Sequence, residues 1–259
     1  MTPDHRATES LLAFWADAGV DTLYGLAAAE RIARKPMTVA PARPEGPVVK
    51  VAKTADSEAA RELAWAAADL GALEAAIAAY EGCPLKFQGA RQAVFCRGAP
   101  DADVMIIGEA PGAEEDTHGA PFVGRAGRLL DKMLAAAGLD GRVFITNTVF
   151  WRPPGNRTPS VEEQITCAPF LERAIDLVRP KLLLLAGAAS AKSMLDKSEG
   201  ILALRGRWFE WRARSTDLEV PALPTLHPAF LLRQPSAKKK AWQDLLLLAE
   251  RLDRSERLA

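Results

Sequence analysis

Three cysteines in 259 residues, Cys83, Cys96 and Cys167, are too few to staple a chain of this length. That excludes a disulfide-built scaffold and fits a reducing compartment. Net charge is also missing: 33 Lys+Arg balance 33 Asp+Glu. A histone-like or broadly basic binder of polyanions is therefore excluded, although local basic patches are not. Long apolar runs are absent too. The most suggestive one, Leu182 to Ala191, is bounded by Lys181 and Lys192 and is far too short to span a bilayer. The polar N-terminus, MTPDHRATES, lacks the apolar core of a secretory signal. There is no G-K-[ST] after a glycine loop, which disfavours a P-loop NTPase, and no G-x-G-x-x-G, which disfavours a dinucleotide fold. The absence of C-x-x-C, H-E-x-x-H and the zinc-deaminase pattern disfavours hydrolytic metal chemistry. The expectation is a cytoplasmic protein with no membrane partner.

Hydrophobic residues at 49% and charged residues at 25% are ordinary globular values, enough for one substantial domain with an appendage. Residues 6–17 read as a short helix on Leu11, Leu12, Phe14 and Trp15, and the Pro-punctuated stretch 35–53 reads as a linker. The expected division is therefore an N-terminal helix and linker over 1–55 and a main domain over 56–259. A helix opens near Asp56–Ser57, with Leu63, Ala67, Leu70, Leu73 and Ile77 at helical spacing, and ends at Gly82.

Beyond residue 100 the texture alternates. Short apolar runs at Val104–Gly108, Val143–Val149, Leu182–Leu185, Gly206–Trp211 and Pro221–Leu226 read as strands. Helical patterns cover Arg125–Ala137, Ser160–Val178, Ala188–Leu195 and Lys239–Leu252. Fully apolar strands alternating with helices predict an α/β fold, a mostly parallel sheet covered by helices on both faces. In such sheets the ligand site lies beyond the carboxyl ends of the strands.

Three strand ends carry candidate chemistry. The first gives Gly108-Glu109-Ala110-Pro111-Gly112 and then Pro121-Phe122-Val123-Gly124-Arg125-Ala126-Gly127. Glycines there let the backbone turn tightly and approach a ligand, and Glu109 stands where a catalytic carboxylate would. The bland alternative is a Gly/Pro surface loop with solvated acids. The second end gives Asn147, whose amide offers both a donor and an acceptor for the edge of a base, or simply caps a turn. The Pro/Gly loop after it carries Arg152 and Arg157, which could hold phosphates or be merely solvated. The last end gives His227-Pro228, then Ala229 to Arg233.

These motifs, in this order and at these separations, resemble the family 4 uracil-DNA glycosylases of the uracil-DNA glycosylase superfamily, over roughly residues 75–255. The resemblance implies a four-stranded parallel sheet flanked by helices in three α/β/α layers, and excision of uracil from DNA. It further implies that Glu109 positions or activates the attacking water and that His227 contacts the uracil carbonyl. Ala110, Pro111 and Gly112 would line the base, Phe122 would stack on it, and Asn147 would read its edge. Phe122 could also be a core residue, although its loop position favours stacking. The segment holding Leu231, Leu232 and Arg233 resembles the loop that enters the DNA stack. Arg125, Arg152, Arg157, Arg205 and Arg207 are the candidate backbone contacts, and Lys238–Lys240 reads as either a basic patch or a solvated run. The implied partners are uracil-containing and abasic-site DNA, bound by a monomer.

The cysteines depart from that family. Its members commonly hold a 4Fe-4S cluster on four cysteines, but the matching positions here are Tyr80, Cys83, Trp151 and Cys167. Two thiolates cannot complete a four-cysteine site, so no cluster and no other metal is expected, with the volume filled by aromatic packing. A site rescued by Cys96 is the alternative. The loop Arg152–Pro159 contains no histidine, so covalent capture of the abasic product is not expected. A non-catalytic binder of uracil or abasic sites, and a glycosylase for another deaminated base, remain as rival functions.

Overall fold

The structure is a computed structural model that describes residues 55–258. The helix expected over 6–17 and the linker over 35–53 lie outside the described residues. The elements run α1 (Ala55–Ala66), α2 (Leu70–Ala79), β1 (Arg97–Gly98), β2 (Val104–Gly108), α3 (Ala113–His118), α4 (Arg125–Ala136), β3 (Val143–Asn147), α5 (Val161–Val178), β4 (Leu182–Ala186), α6 (Ala188–Leu195), α7 (Ile201–Leu204), β5 (Phe209–Arg212), β6 (Glu219–Thr225), α8 (Pro228–Arg233) and α9 (Lys238–Leu258). No described helix is long and apolar enough to cross a membrane.

The sheet has six strands in the order β1-β3-β2-β4-β6-β5. Its four central strands are mutually parallel, as the sequence pattern predicts, with β2 paired to both β3 and β4, and β4 to β6. The two edges are antiparallel and extend the expected four-stranded sheet. β1 is only two residues long, too short for alternation to show in sequence. β5 alternates exposed and buried positions, with Glu210 and Arg212 outward, as befits an edge strand.

Strand side chains point alternately to the two faces, and each face has its own core. Met105, Ile107, Phe144, Leu183, Leu185 and Ala222 pack with residues of α1, α2 and α5, including Leu73, Ile77, Phe170 and Ile175. Val104, Ile106, Ile145, Leu184 and Leu223 pack with residues of α4, α8 and α9, including Leu130, Leu134, Leu231 and Leu245. Burial on both sides explains why the central strands read as unbroken apolar runs.

Two local expectations are corrected. The single helix from 56 to 82 is two helices, because the Asp69 carboxylate accepts the Ala72 N–H at 2.8 Å and starts a new N-terminus in mid-pattern. The segment after His227 is helical over Pro228–Arg233 rather than an irregular loop.

Candidate active site

The carboxyl ends of β2, β3, β4 and β6 meet at one edge of the sheet. Gly108 closes β2 and is paired in register with Asn147, which closes β3. A Cβ on Gly108 would lie 2.3 Å from Asn147 Oδ1 and 2.6 Å from the Phe122 ring, so the amide and the ring both close on the bare backbone at 108. Any larger residue at 108 would push the other two apart.

Asn147 is 1% exposed, and its Oδ1 has no hydrogen-bond partner. Burying such an oxygen unpaired costs about 1–3 kcal/mol, which a ligand donating to it would recover. A turn-capping role is thereby disfavoured, since a cap would use the acceptor.

Phe122 is brought to Asn147 by a backbone in the left-handed region, at φ 54°. That conformation is costly for an aromatic residue and persists only where its surroundings enforce it. Its ring centroid lies 5.6 Å from that of His227. Glu115 joins the loops on either side of α3, accepting from Gly112 N at 3.1 Å with one carboxylate oxygen and from Gly124 N at 2.9 Å with the other. The Gly112 N–H is thus already used by the fold. Pro111 is buried and Ala110 half-buried beside it.

His227 caps α8, its Nδ1 accepting the Ala229 N–H at 3.1 Å. In the neutral ring this places the proton on Nε2, the free nitrogen, which can only donate. Burial, aided by the Arg233 charge and opposed by Glu115, pushes the imidazole down to about 4, so the ring is neutral at pH 7. Beneath it, Gly187 at the end of β4 has φ 98°, and a Cβ there would come within 3.0 Å of the His227 Cβ. Glu109 follows Gly108 directly. Its carbonyl accepts from Thr148 Oγ1 at 2.7 Å, while its half-buried carboxylate forms no ion pair among the described residues.

A cleft of about 420 Å³ opens beside this cluster, lined by Glu114, Glu115, Gly124, Arg125, Leu232 and Arg233 among others. Arg125, Leu232 and Arg233 therefore line one cleft. Leu231 is not with them: it is fully buried in the core, because a helical segment turns residues 231 and 232 to opposite sides. Arg205 is also withdrawn. Its guanidinium binds the fully buried Asp244 at 2.6 Å, and Asp244 in turn accepts from Thr225 at 2.8 Å, anchoring the end of β6. Arg157 is paired with Glu163 at 2.6 and 2.8 Å and holds that carboxyl below its usual range. Arg152 donates to Asn156 at 2.7 Å and Arg207 lies over the Phe209 ring at 5.4 Å. Sequence reasoning missed Glu115 and Asp244, whose roles depend on partners distant in the chain and carry no local signal.

A family model described as the uracil DNA glycosylase superfamily matches residues 95–246, more than half of the chain. The chain belongs to that superfamily. It is 40% identical over 164 residues to the type-4 uracil-DNA glycosylase of Sulfurisphaera tokodaii, covering 61% of this chain and 74% of that protein. It is 38% identical over 185 residues to the type-4 uracil-DNA glycosylase of Pyrobaculum aerophilum, covering 69% and 92% respectively. A third relative, the type-4 uracil-DNA glycosylase of Thermotoga maritima, is 38% identical over 156 residues, covering 60% and 78%. Every residue of the strand-end cluster falls inside the superfamily match.

The cysteine region of this superfamily member does not fit a four-thiolate cluster. Cys83 and Cys167 are fully buried with their sulfurs 3.9 Å apart, a thiol–thiol contact that lowers Cys83, while burial raises Cys167. The other two positions are filled by Tyr80 and Trp151, both inside the core. Tyr80 packs edge-on against Phe170 at 5.1 Å, and Phe150 contacts Trp151 at 6.3 Å. Cys96 is only partly buried, its thiol pushed up to about 12 by burial and by the Glu74 charge, which makes it a poor ligand. Among the described residues no group of three or more His, Cys, Asp or Glu side chains could hold a metal ion.

Proposed function

We propose that this chain is a monofunctional uracil-DNA glycosylase that rotates uracil out of DNA, hydrolyses its N-glycosidic bond and leaves an abasic site for base-excision repair. The observation that carries this reading is the buried, unpartnered Asn147 Oδ1, which with the Phe122 ring flanks the bare Gly108 backbone. Uracil presents the matching chemistry: a flat ring with an N–H between two carbonyls. Expelling the base from the stack costs a few kcal/mol, which stacking and hydrogen bonding inside the pocket offset.

Bond cleavage builds positive charge on the sugar and negative charge on the departing base. The Glu109 carboxylate stabilises the first and orients a water, whose oxygen bonds to the anomeric carbon and whose proton passes to the carboxylate as the glycosidic electron pair leaves with uracil. His227, held neutral with its proton on Nε2, donates to a uracil carbonyl as charge accumulates there. The motifs contain no lysine for a Schiff base with the sugar, which supports hydrolysis by water alone. Arg125, Arg233 and Leu232 around the cleft supply two cations and an exposed apolar side chain to the DNA. With two sulfurs and two buried aromatics at the cluster positions, the reaction runs without an iron–sulfur group.

Incubation with a single-uracil oligonucleotide, followed by alkali, should give strand scission at the uracil position. No scission from single- or double-stranded substrate would overturn the enzymatic reading. Glu109→Gln should abolish scission while retaining DNA binding, which separates a catalyst from a binder. Cleavage of hypoxanthine or xanthine substrates in preference to uracil would reassign the base. The purified protein should carry substoichiometric iron and sulfide; four irons per chain would overturn the cluster-free reading.

A further inference from the structure

The Phe122 backbone is held by two elements whose residues do not line the 420 Å³ cleft, β1 through Arg97 and α4 through Gly127. Arg97, on the short edge strand β1, donates from Nε to the Pro121 carbonyl at 2.8 Å and from Nη2 to the Phe122 carbonyl at 3.1 Å. The same Nη2 donates to Asp131 on α4 at 2.6 Å. A guanidinium fork is suited to two successive carbonyls, because its donors lie in one rigid plane. In addition, a Cβ at Gly127 would lie 1.6 Å from the Phe122 oxygen, so α4 packs its bare backbone directly against that carbonyl. The base of Arg97 is itself fixed: Gly98 has φ 105° and sits where a Cβ would be 2.1 Å from the Val143 carbonyl, tying β1 closely to β3.

We propose that Arg97, oriented by Asp131, is a positioning residue that locks Phe122 in its left-handed conformation and so aims the ring at Asn147 and His227. This rests on the reading that Phe122 contacts the extruded base. Left-handed backbone at a phenylalanine relaxes unless something opposes it. Release of the Pro121 and Phe122 carbonyls would let the peptide rotate and carry the ring away from the Gly108 backbone. Arg97 itself touches neither the pocket nor the 420 Å³ cleft. Its effect is therefore exerted through Phe122, and this separates it from a DNA-binding arginine.

A double-variant cycle tests the assignment. Under single-turnover conditions with saturating protein, Arg97→Ala should slow uracil excision about 10- to 100-fold, as expected when a substrate-positioning group shifts by about 1 Å. Its affinity for uracil-free duplex should change less than about threefold. In a Phe122→Ala background the same Arg97→Ala change should cost less than about twofold, because the ring it positions is gone. Equal losses in both backgrounds, full activity in Arg97→Ala, or a loss confined to DNA affinity would overturn the proposal. If circular dichroism shows Arg97→Ala unfolded, Asp131→Asn provides the second measurement. That side chain is half exposed, and a roughly three- to tenfold slower excision is expected, whereas an unchanged rate would overturn the assignment. A parent chain that excises uracil normally keeps all these outcomes separate from the proposed function; a parent without excision overturns both.

Discussion

Two regions of this molecule lie on opposite terms with their own chemistry. Around Tyr80, Cys83, Trp151 and Cys167 the interior is closed: aromatic rings meet edge-on, and the two thiols contact each other. Around Gly108, Phe122, Asn147 and His227 it is unfinished. An amide oxygen has no partner, a phenylalanine sits at φ 54°, and an imidazole is held far below its ordinary pKa. Both regions are buried. What differs is whether the fold satisfies its own groups. Where it does, the residues stabilise the domain; where it does not, an unsatisfied group is left for the ligand we propose.

The widest test of that contrast is truncation inside the closed region. Trp151→Ala should lower unfolding free energy by about 3–5 kcal/mol in denaturant titrations. Excision measured well below the melting transition should change only a few-fold, and a large loss there would mean the aromatic region serves the reaction directly. The opposite pattern is expected at Asn147. Asn147→Ala should reduce kcat/KM by about a thousandfold, equivalent to about 4 kcal/mol of transition-state stabilisation. Its stability should be unchanged or slightly higher, because the unpaired buried oxygen is removed. Gly108→Ala should fall between the two. Its methyl would arrive 2.3 Å from Asn147 Oδ1, costing about a hundredfold in excision and about 1–3 kcal/mol in stability.

The smallest effect concerns pH. His227 titrates near 4 in the folded chain against an ordinary 6.5, so the unfolded state binds a proton that the folded state refuses. Stability should therefore decline as pH falls from about 6.5 to about 4, by at most about 3 kcal/mol. His227→Gln should flatten that part of the stability–pH curve. An equally steep decline in the variant would place the titrating group elsewhere.

Much of this was legible in the chain itself. The apolar runs of β2 and β4 and the capping box Ser160–Glu163 mark element and boundary alike, because a buried parallel strand and a helix N-terminus each leave a local imprint. Gly108, Asn147 and His227 could be picked out because the first two close strands, the third follows β6 by two residues, and the sheet directs ligands there. The split between α1 and α2 was hidden, since helical periodicity runs on through Asp69 and only its side-chain bond reveals the break. Leu231 and Leu232 are indistinguishable as residues, and only helix geometry sends one into the core and the other to the cleft. Arg205 and Arg125 look alike in sequence, yet Asp244 at a separation of 39 residues captures the first.

The sequence by itself determined the α/β alternation, the strand ends where chemistry gathers and the shortage of cluster ligands. Each of these depends on residue type and on spacing within a few positions. Tertiary structure alone decided which cations stay available, which leucine faces outward and how Phe122 is held against its own backbone preference. Those outcomes depend on partners brought together across the fold. A guanidinium from β1 and a bare glycine on α4 clamp one strained peptide only once the sheet has closed around them.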